Sequence, residues 1–92
     1  MIVSFRHKGL KDFWTTGSKK GIPAALAPRI EIILDALDAA TDIAQLNVPG
    51  FRLHQLKGDR KGEWSIWVSG NWRITFKFIG GDAHDVDLED YH

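Results

Sequence analysis

The sequence contains no cysteine. That single absence excludes disulfide cross-links, thiolate nucleophiles and cysteine-ligated zinc. No apolar stretch approaches the roughly 18 residues that a membrane-spanning helix needs. The opening Met1-Ile2-Val3-Ser4-Phe5-Arg6-His7-Lys8 lacks the apolar core of a secretory signal. A cytoplasmic protein with no membrane partner is therefore expected. No repeat, linker or low-complexity segment breaks the chain. The motifs of several enzyme classes are also missing. There is no HExxH pair, no EF-hand loop, no Walker loop and no Gly-x-Ser-x-Gly elbow. His84, Asp90 and His92 share strand parity, but a strand advances about 3.3 Å per residue, which spreads them too far for compact metal ligation. The expectation is no metal and no cofactor.

The chain has 92 residues, 43% of them hydrophobic, with four Trp, five Phe and one Tyr. This suffices for one core and one domain, residues 1–92, burying roughly 60–65% of its unfolded surface. The formal net charge of zero conceals four blocks. Arg6, Lys8, Lys11, Lys19, Lys20 and Arg29 outweigh Asp12 over residues 1–30. Glu31, Asp35, Asp38 and Asp42 make residues 31–50 acidic. Arg52, Lys57, Arg60, Lys61, Arg73 and Lys77 outweigh Asp59 and Glu63 over residues 51–80. Asp82, Asp85, Asp87, Glu89 and Asp90 close the chain as an acidic block. Segregation of this kind can produce a basic face that suits a polyanion, or ordinary solvated charge.

The hydrophobic period changes once. Ile2 to Phe5 is a short strand candidate. Leu10, Phe13 and Trp14 lie at helical spacing, with Gly17 as a stop. Leu26, Ile30, Ile33, Leu34 and Leu37 form one apolar helical stripe whose regular part begins at Pro23 or Pro28. Thr41 or Asp42 is placed to cap a short further turn through Leu46. After Gly50 the period becomes two. Strands are expected over Phe51 to Lys57, Glu63 to Val68, Trp72 to Ile79 and Asp85 to Glu89, joined by turns at Gly58–Gly62, Ser69–Asn71 and Gly80–Asp82. The order is strand, two helices, then four strands: an α+β domain with helices on one face of a small, mostly antiparallel sheet. Trp72, Ile74, Phe76 and Phe78 should face the helices. Arg73, Thr75 and Lys77, with Trp67, should lie on the opposite open face, where cations and an aromatic ring suit a nucleic-acid strand.

The tripeptide Asp90-Tyr91-His92 juxtaposes an acid, a phenol and an imidazole. The residues alone leave it open as a solvated polar tail or as a functional group carried at a strand end. His54 and His92 are acid–base candidates, since imidazole titrates near neutrality. His7 and His84 have no evident partner.

Taken together, these segments resemble a known family. Ile2 through Leu10, the segment Arg52-Leu53-His54-Gln55-Leu56-Lys57-Gly58-Asp59-Arg60, the pair Trp64-Ser65-Ile66 and Asn71-Trp72-Arg73-Ile74-Thr75-Phe76, and the closing Asp-Tyr-His are similar to the HigB branch of the RelE/ParE toxins. The resemblance runs end to end. It implies a toxin paired with a helix-turn-helix antitoxin of the HigA type, acting as an endoribonuclease on mRNA in the ribosomal A site and so inhibiting translation. It places His54, Asp90, Tyr91 and His92 at catalytic positions and Lys57 and Arg73 at phosphate-binding positions. The set differs from that of RelE itself, which lacks the two histidines. Lys19, Lys20, Arg60 and Lys61 are then candidates for RNA or ribosome contact, with Trp67 and Lys77 on the sheet. The acidic residues Glu31, Asp35, Asp38 and Asp42 are a candidate partner surface. Two rivals remain: a ParE-like, non-catalytic inhibitor of DNA gyrase on the same fold, and a regulatory subunit that acts only with a DNA-binding antitoxin.

Overall fold

The computed structural model describes residues 1–91 of the chain. Helix α1 (Lys8–Thr16) starts where the His7 ring accepts the backbone N–H of Leu10 at Nδ1, 3.0 Å away. It ends at Gly17, which takes a left-handed φ of 81° and returns its N–H to Phe13. This glycine closure satisfies carbonyls that the last turn would otherwise leave unpaired. Helix α2 (Ala27–Ala39) carries Pro28 in its first turn, while Pro23 opens a separate 3₁₀ turn before it. The later of the two expected starts is thus the true one. Its stripe of Ile30, Ile33, Leu34 and Leu37 is fully buried.

Beyond α2, Asp42 caps a 3₁₀ turn over Ile43–Leu46 through a capping box: its side chain accepts from Ala44, and Gln45 reaches back to the N–H groups of Thr41 and Asp42. The sheet is antiparallel and takes its strands in chain order: β1 (His54–Gln55), β2 (Glu63–Ser69), β3 (Trp72–Ile79) and β4 (Asp82–Asp90). Ile66, Val68, Ile74, Phe76, Val86 and Leu88 project from it into one core with Leu10 and the α2 stripe. No helix is long and apolar enough to cross a membrane among the described residues.

Three departures from the sequence pattern matter for the site. Residues 2–5 do not form a regular strand; they contribute two isolated parallel bridges, Ile2 to Ala83 and Phe5 to Val86. β4 is bulged beside them, because Thr75 lies opposite Asp87 while Lys77 lies opposite His84. Asp85 absorbs the extra residue at φ 53°, and Ser4 anchors it by accepting its N–H at Oγ, 2.9 Å away. The expected strand over Phe51 to Lys57 pairs only at His54 and Gln55. Upstream of them Arg52 adopts φ 51°, incompatible with extended backbone.

Thr75 corrects the simple picture of an open face. It lies on the side away from the helices, as its parity requires, yet is only 1% exposed. Its hydroxyl donates to Glu89, and Arg60 covers that carboxylate. The face is open at its ends and closed in the middle.

Candidate functional site

On the sheet face opposite the helices, β1 sets His54 directly across from Ser65 on β2, and β2 sets Trp67 across from Arg73 on β3. Beyond the end of β4, the backbone N–H of Tyr91 donates to the carbonyl of Asn71, 2.8 Å away. This tie holds Tyr91 at the β2–β3 turn. The three elements enclose an open cavity of about 370 Å³ lined by Arg52, Leu53, His54, Ser65, Arg73 and Tyr91. The volume lies in the lower range of small-ligand sites. An imidazole, a phenol, a hydroxyl and two guanidinium groups share it.

Of the residues singled out from sequence, His54, Tyr91 and Arg73 meet here. Arg73 also donates from Nη1 to the carbonyls of Gly70 (3.0 Å) and Trp72 (3.2 Å), which orients its fork. Asp90 lies opposite Trp72 on β3, alternates with Glu89 and Tyr91, and is not part of the cavity lining. His92 lies outside the described residues. Lys57 opens onto a neighbouring concavity of about 250 Å³ with Gln55, Leu56, Gly58 and Lys61. Lys19 lines a third, with Phe13, Trp14, Gly17, Glu31 and Asp35, and Lys20 is exposed beside it. Among the acidic candidates, Asp38 accepts the N–H of Ile2 at 3.1 Å and Asp42 is a helix cap, so two of the four have structural work.

Three expected contact residues are engaged within the protein itself. Lys77 lies 3.7 Å from Asp85. Trp67 is half-buried, donates its indole N–H to Gly70 at 2.9 Å, and has the guanidinium of Arg52 4.1 Å from its ring centroid. Arg60 is committed most deeply. It forms forked pairs with Glu63 and Glu89 at once, and its side chain is only 28% exposed, beside 13% for Glu63 and 23% for Glu89. The hydrogen bonds to Arg60 hold both carboxyls below the usual glutamate range. Thr75 adds to this at Glu89, and Arg6 adds a smaller charge effect at both. In turn, the bonds to Glu89 and then Glu63 push the Arg60 guanidinium further from losing its proton. The cluster clips the loop before β2 to β4, just ahead of the segment that carries Tyr91.

Arg52, Leu53 and Ser65 were not among the site residues expected from sequence. Ser65 reads as one small residue in an alternating strand. Arg52 is aimed by its φ and by Trp67, fifteen positions downstream. Segment 50–53 is itself clamped by Arg29 of α2, which donates to the carbonyls of Gly50 and Trp67 and lies over the rings of Phe51 (5.4 Å) and Trp67 (5.8 Å). Trp67 returns its backbone N–H to the Phe51 carbonyl, 2.8 Å away. No local pattern announces such a clamp.

The profile of the RelE-like toxin of the type II toxin-antitoxin system HigB matches residues 3–92. The chain is 54% identical over 92 residues to the Endoribonuclease HigB of Proteus vulgaris, covering the whole of both proteins. It is 31% identical over 91 residues to Toxin HigB-1 of Vibrio cholerae serotype O1, covering 97% of this chain and 96% of that one.

Proposed function

We propose a function from one premise: the chain belongs to the RelE-like HigB toxins of type II toxin-antitoxin systems. It is an endoribonuclease that cuts mRNA in the ribosomal A site, in the cytoplasm, and its partner is a HigA-type antitoxin. The observation that supports this most is the meeting of His54, Arg73 and Tyr91 in one cavity. A protein acting only by binding has no need of an imidazole set beside a phosphate-binding fork.

RNA supplies its own nucleophile, the 2′-hydroxyl. A base takes its proton, the oxygen attacks the adjacent phosphorus, and the 5′-oxygen leaves with a proton from an acid. The products are a 2′,3′-cyclic phosphate and a 5′-hydroxyl. His54 and His92 form the proton-transfer pair, worth about 10²–10⁴-fold per positioned group. Asp90 supplies the carboxylate that serves this pair. Arg73 holds the phosphate, since its planar fork meets two phosphate oxygens and its charge opposes that developing on the phosphorane. Tyr91 stacks on a base or donates to the phosphate. Lys57, one concavity away, adds charge along the strand, and Lys19, Lys20 and Lys61 contact ribosomal RNA.

The test is mRNA cleavage in a purified translation system, mapped by primer extension, with naked RNA as control. Wild-type protein should cut only on ribosomes. His54→Ala and His92→Ala should each fold normally and lose at least about 100-fold in rate. A fully active His54→Ala protein would remove the cavity from the mechanism. Growth arrest without any RNA cleavage would move the reading to the gyrase-type inhibitor.

A further inference from the structure

We propose that Arg52 is an RNA-binding residue of this site: its guanidinium, carried on the face of Trp67, holds the phosphodiester next to the one that is cut. The inference rests on the endoribonuclease reading above and adds a binding group to it.

Among the described residues the charge of Arg52, like that of Arg73, is paired with no carboxylate, whereas two other cations of the sheet and its loops are committed. Arg60 is neutralised by Glu63 and Glu89, and Lys77 faces Asp85. Arg52 lines the same cavity as His54 and Arg73 and forms no ion pair among the described residues. Among the described residues its partner is the Trp67 ring, whose centroid lies 4.1 Å from the guanidinium carbon. A stacked guanidinium uses the face of its plane and leaves its N–H donors free along the edge. An acceptor entering the cavity meets those donors without breaking the stack. A carboxylate partner would instead have consumed them.

The platform beneath Arg52 is also fixed in advance. The Trp67 indole is tied to Gly70, and its backbone is tied to Phe51 and to Arg29. Arg29 has its Nε buried without an acceptor, so its other contacts offset a lost hydrogen bond. Arg52 itself sits at φ 51°, a conformation unfavourable for a side chain of that size. Both local costs maintain one geometry at the cavity rim, and a held cation loses less freedom when it binds. Two guanidinium groups, Arg52 and Arg73, line the one cavity, so that a strand lying in it meets a second cation besides the one assigned to the cut phosphate.

The experiment compares wild type, Arg52→Gly and Arg52→Lys for cleavage of mRNA on programmed ribosomes at several salt concentrations. Glycine is chosen because it accepts φ 51° without strain, so the fold is kept while the cation is lost. For Arg52→Gly, KM should rise about tenfold, as expected for one charge-assisted phosphate contact, with kcat within about threefold. The slope of log affinity against log salt should fall by roughly 0.7–0.9, one counterion. Arg52→Lys, keeping the charge without the fork, should recover part of the KM. Wild-type KM and salt slope in Arg52→Gly would overturn the assignment, as would a fall in kcat at unchanged KM. If the wild type cuts no RNA, the endoribonuclease reading fails first, and every variant is inert alike.

Discussion

Removing Arg60 while keeping its size, as in Arg60→Met, isolates the cluster that closes the middle of the sheet face. The variant leaves Glu63 and Glu89 side by side, with side chains 13% and 23% exposed and no cation between them. Breaking a fully buried pair costs about 3–5 kcal/mol, whereas exposed pairs are worth about 0–1 kcal/mol. This cluster lies between those limits, so a loss of about 2–3 kcal/mol at neutral pH is expected. For a domain of this size that is about 10–20 °C in Tm.

The pH dependence tests the cause. In the wild type both carboxyls are depressed, first by their hydrogen bonds to Arg60. Their contribution is therefore fully present above the unfolded glutamate pKa of about 4.3 and is lost as pH falls through the lower folded values. In the variant, burial and mutual repulsion are opposed only by the Thr75 hydrogen bond to Glu89 and the smaller charge effect of Arg6, so both groups rise relative to the wild type and acid relieves the strain there by protonation. The stability gap between the two proteins, read from urea melts at pH 7.5 and pH 4, should narrow as the pH falls. Adding Glu63→Gln and Glu89→Gln to the variant should restore part of the loss at pH 7.5. A gap below about 0.5 kcal/mol, typical of an ordinary surface substitution, or one independent of pH, would refute the argument.

Two further substitutions test the frame that holds the site. A Cβ on Gly9 would stand 2.2 Å from the carbonyl oxygen of Gly21. Gly9→Ala should therefore destabilise by about 1–3 kcal/mol through overpacking, although helix propensity alone predicts a gain of about 1 kcal/mol; a raised Tm would show that the two backbones part freely. Asp42→Ala removes the oxygen that caps the turn after α2 and should cost about 1 kcal/mol in chemical denaturation, with cleavage unchanged.

The two helices and the three long strands were legible because each buries a periodic face. Ile30, Ile33, Leu34 and Leu37 repeat at helical spacing, and Ile66/Val68 and Ile74/Phe76 repeat at two. His54, Tyr91 and Arg73 were singled out from the sequence, the last two through the family resemblance, and the fold brings them into one cavity. What stayed hidden depends on contacts between distant positions. Thr75 reads as an outward residue until Glu89, fourteen positions later, covers it. Arg60 and Trp67 read as free surface until Glu89 and Arg52 occupy them. The segment before His54 reads as strand because nothing local reveals that Arg29 holds it in another shape. Periodicity reports burial against the core, and it has no term for an ion pair on the far side of the sheet.

The parallel bridges from residues 2–5 to β4 have a consequence in time. Ile2 and Phe5 meet Ala83 and Val86, 81 positions further along the chain. A growing polypeptide has made nearly every other element before those partners exist, and its opening segment waits for its strand partners throughout. Contacts of this sequence separation are slow to form and come late. The same late strand ends at Asp90 and leads directly into Tyr91, so assembly of the edge and delivery of the phenol to the cavity are coupled. A nascent chain of this protein cannot complete its site while β4 is still inside the ribosome that is making it. Synthesis order thus leaves the cavity among the last features of the fold to be completed.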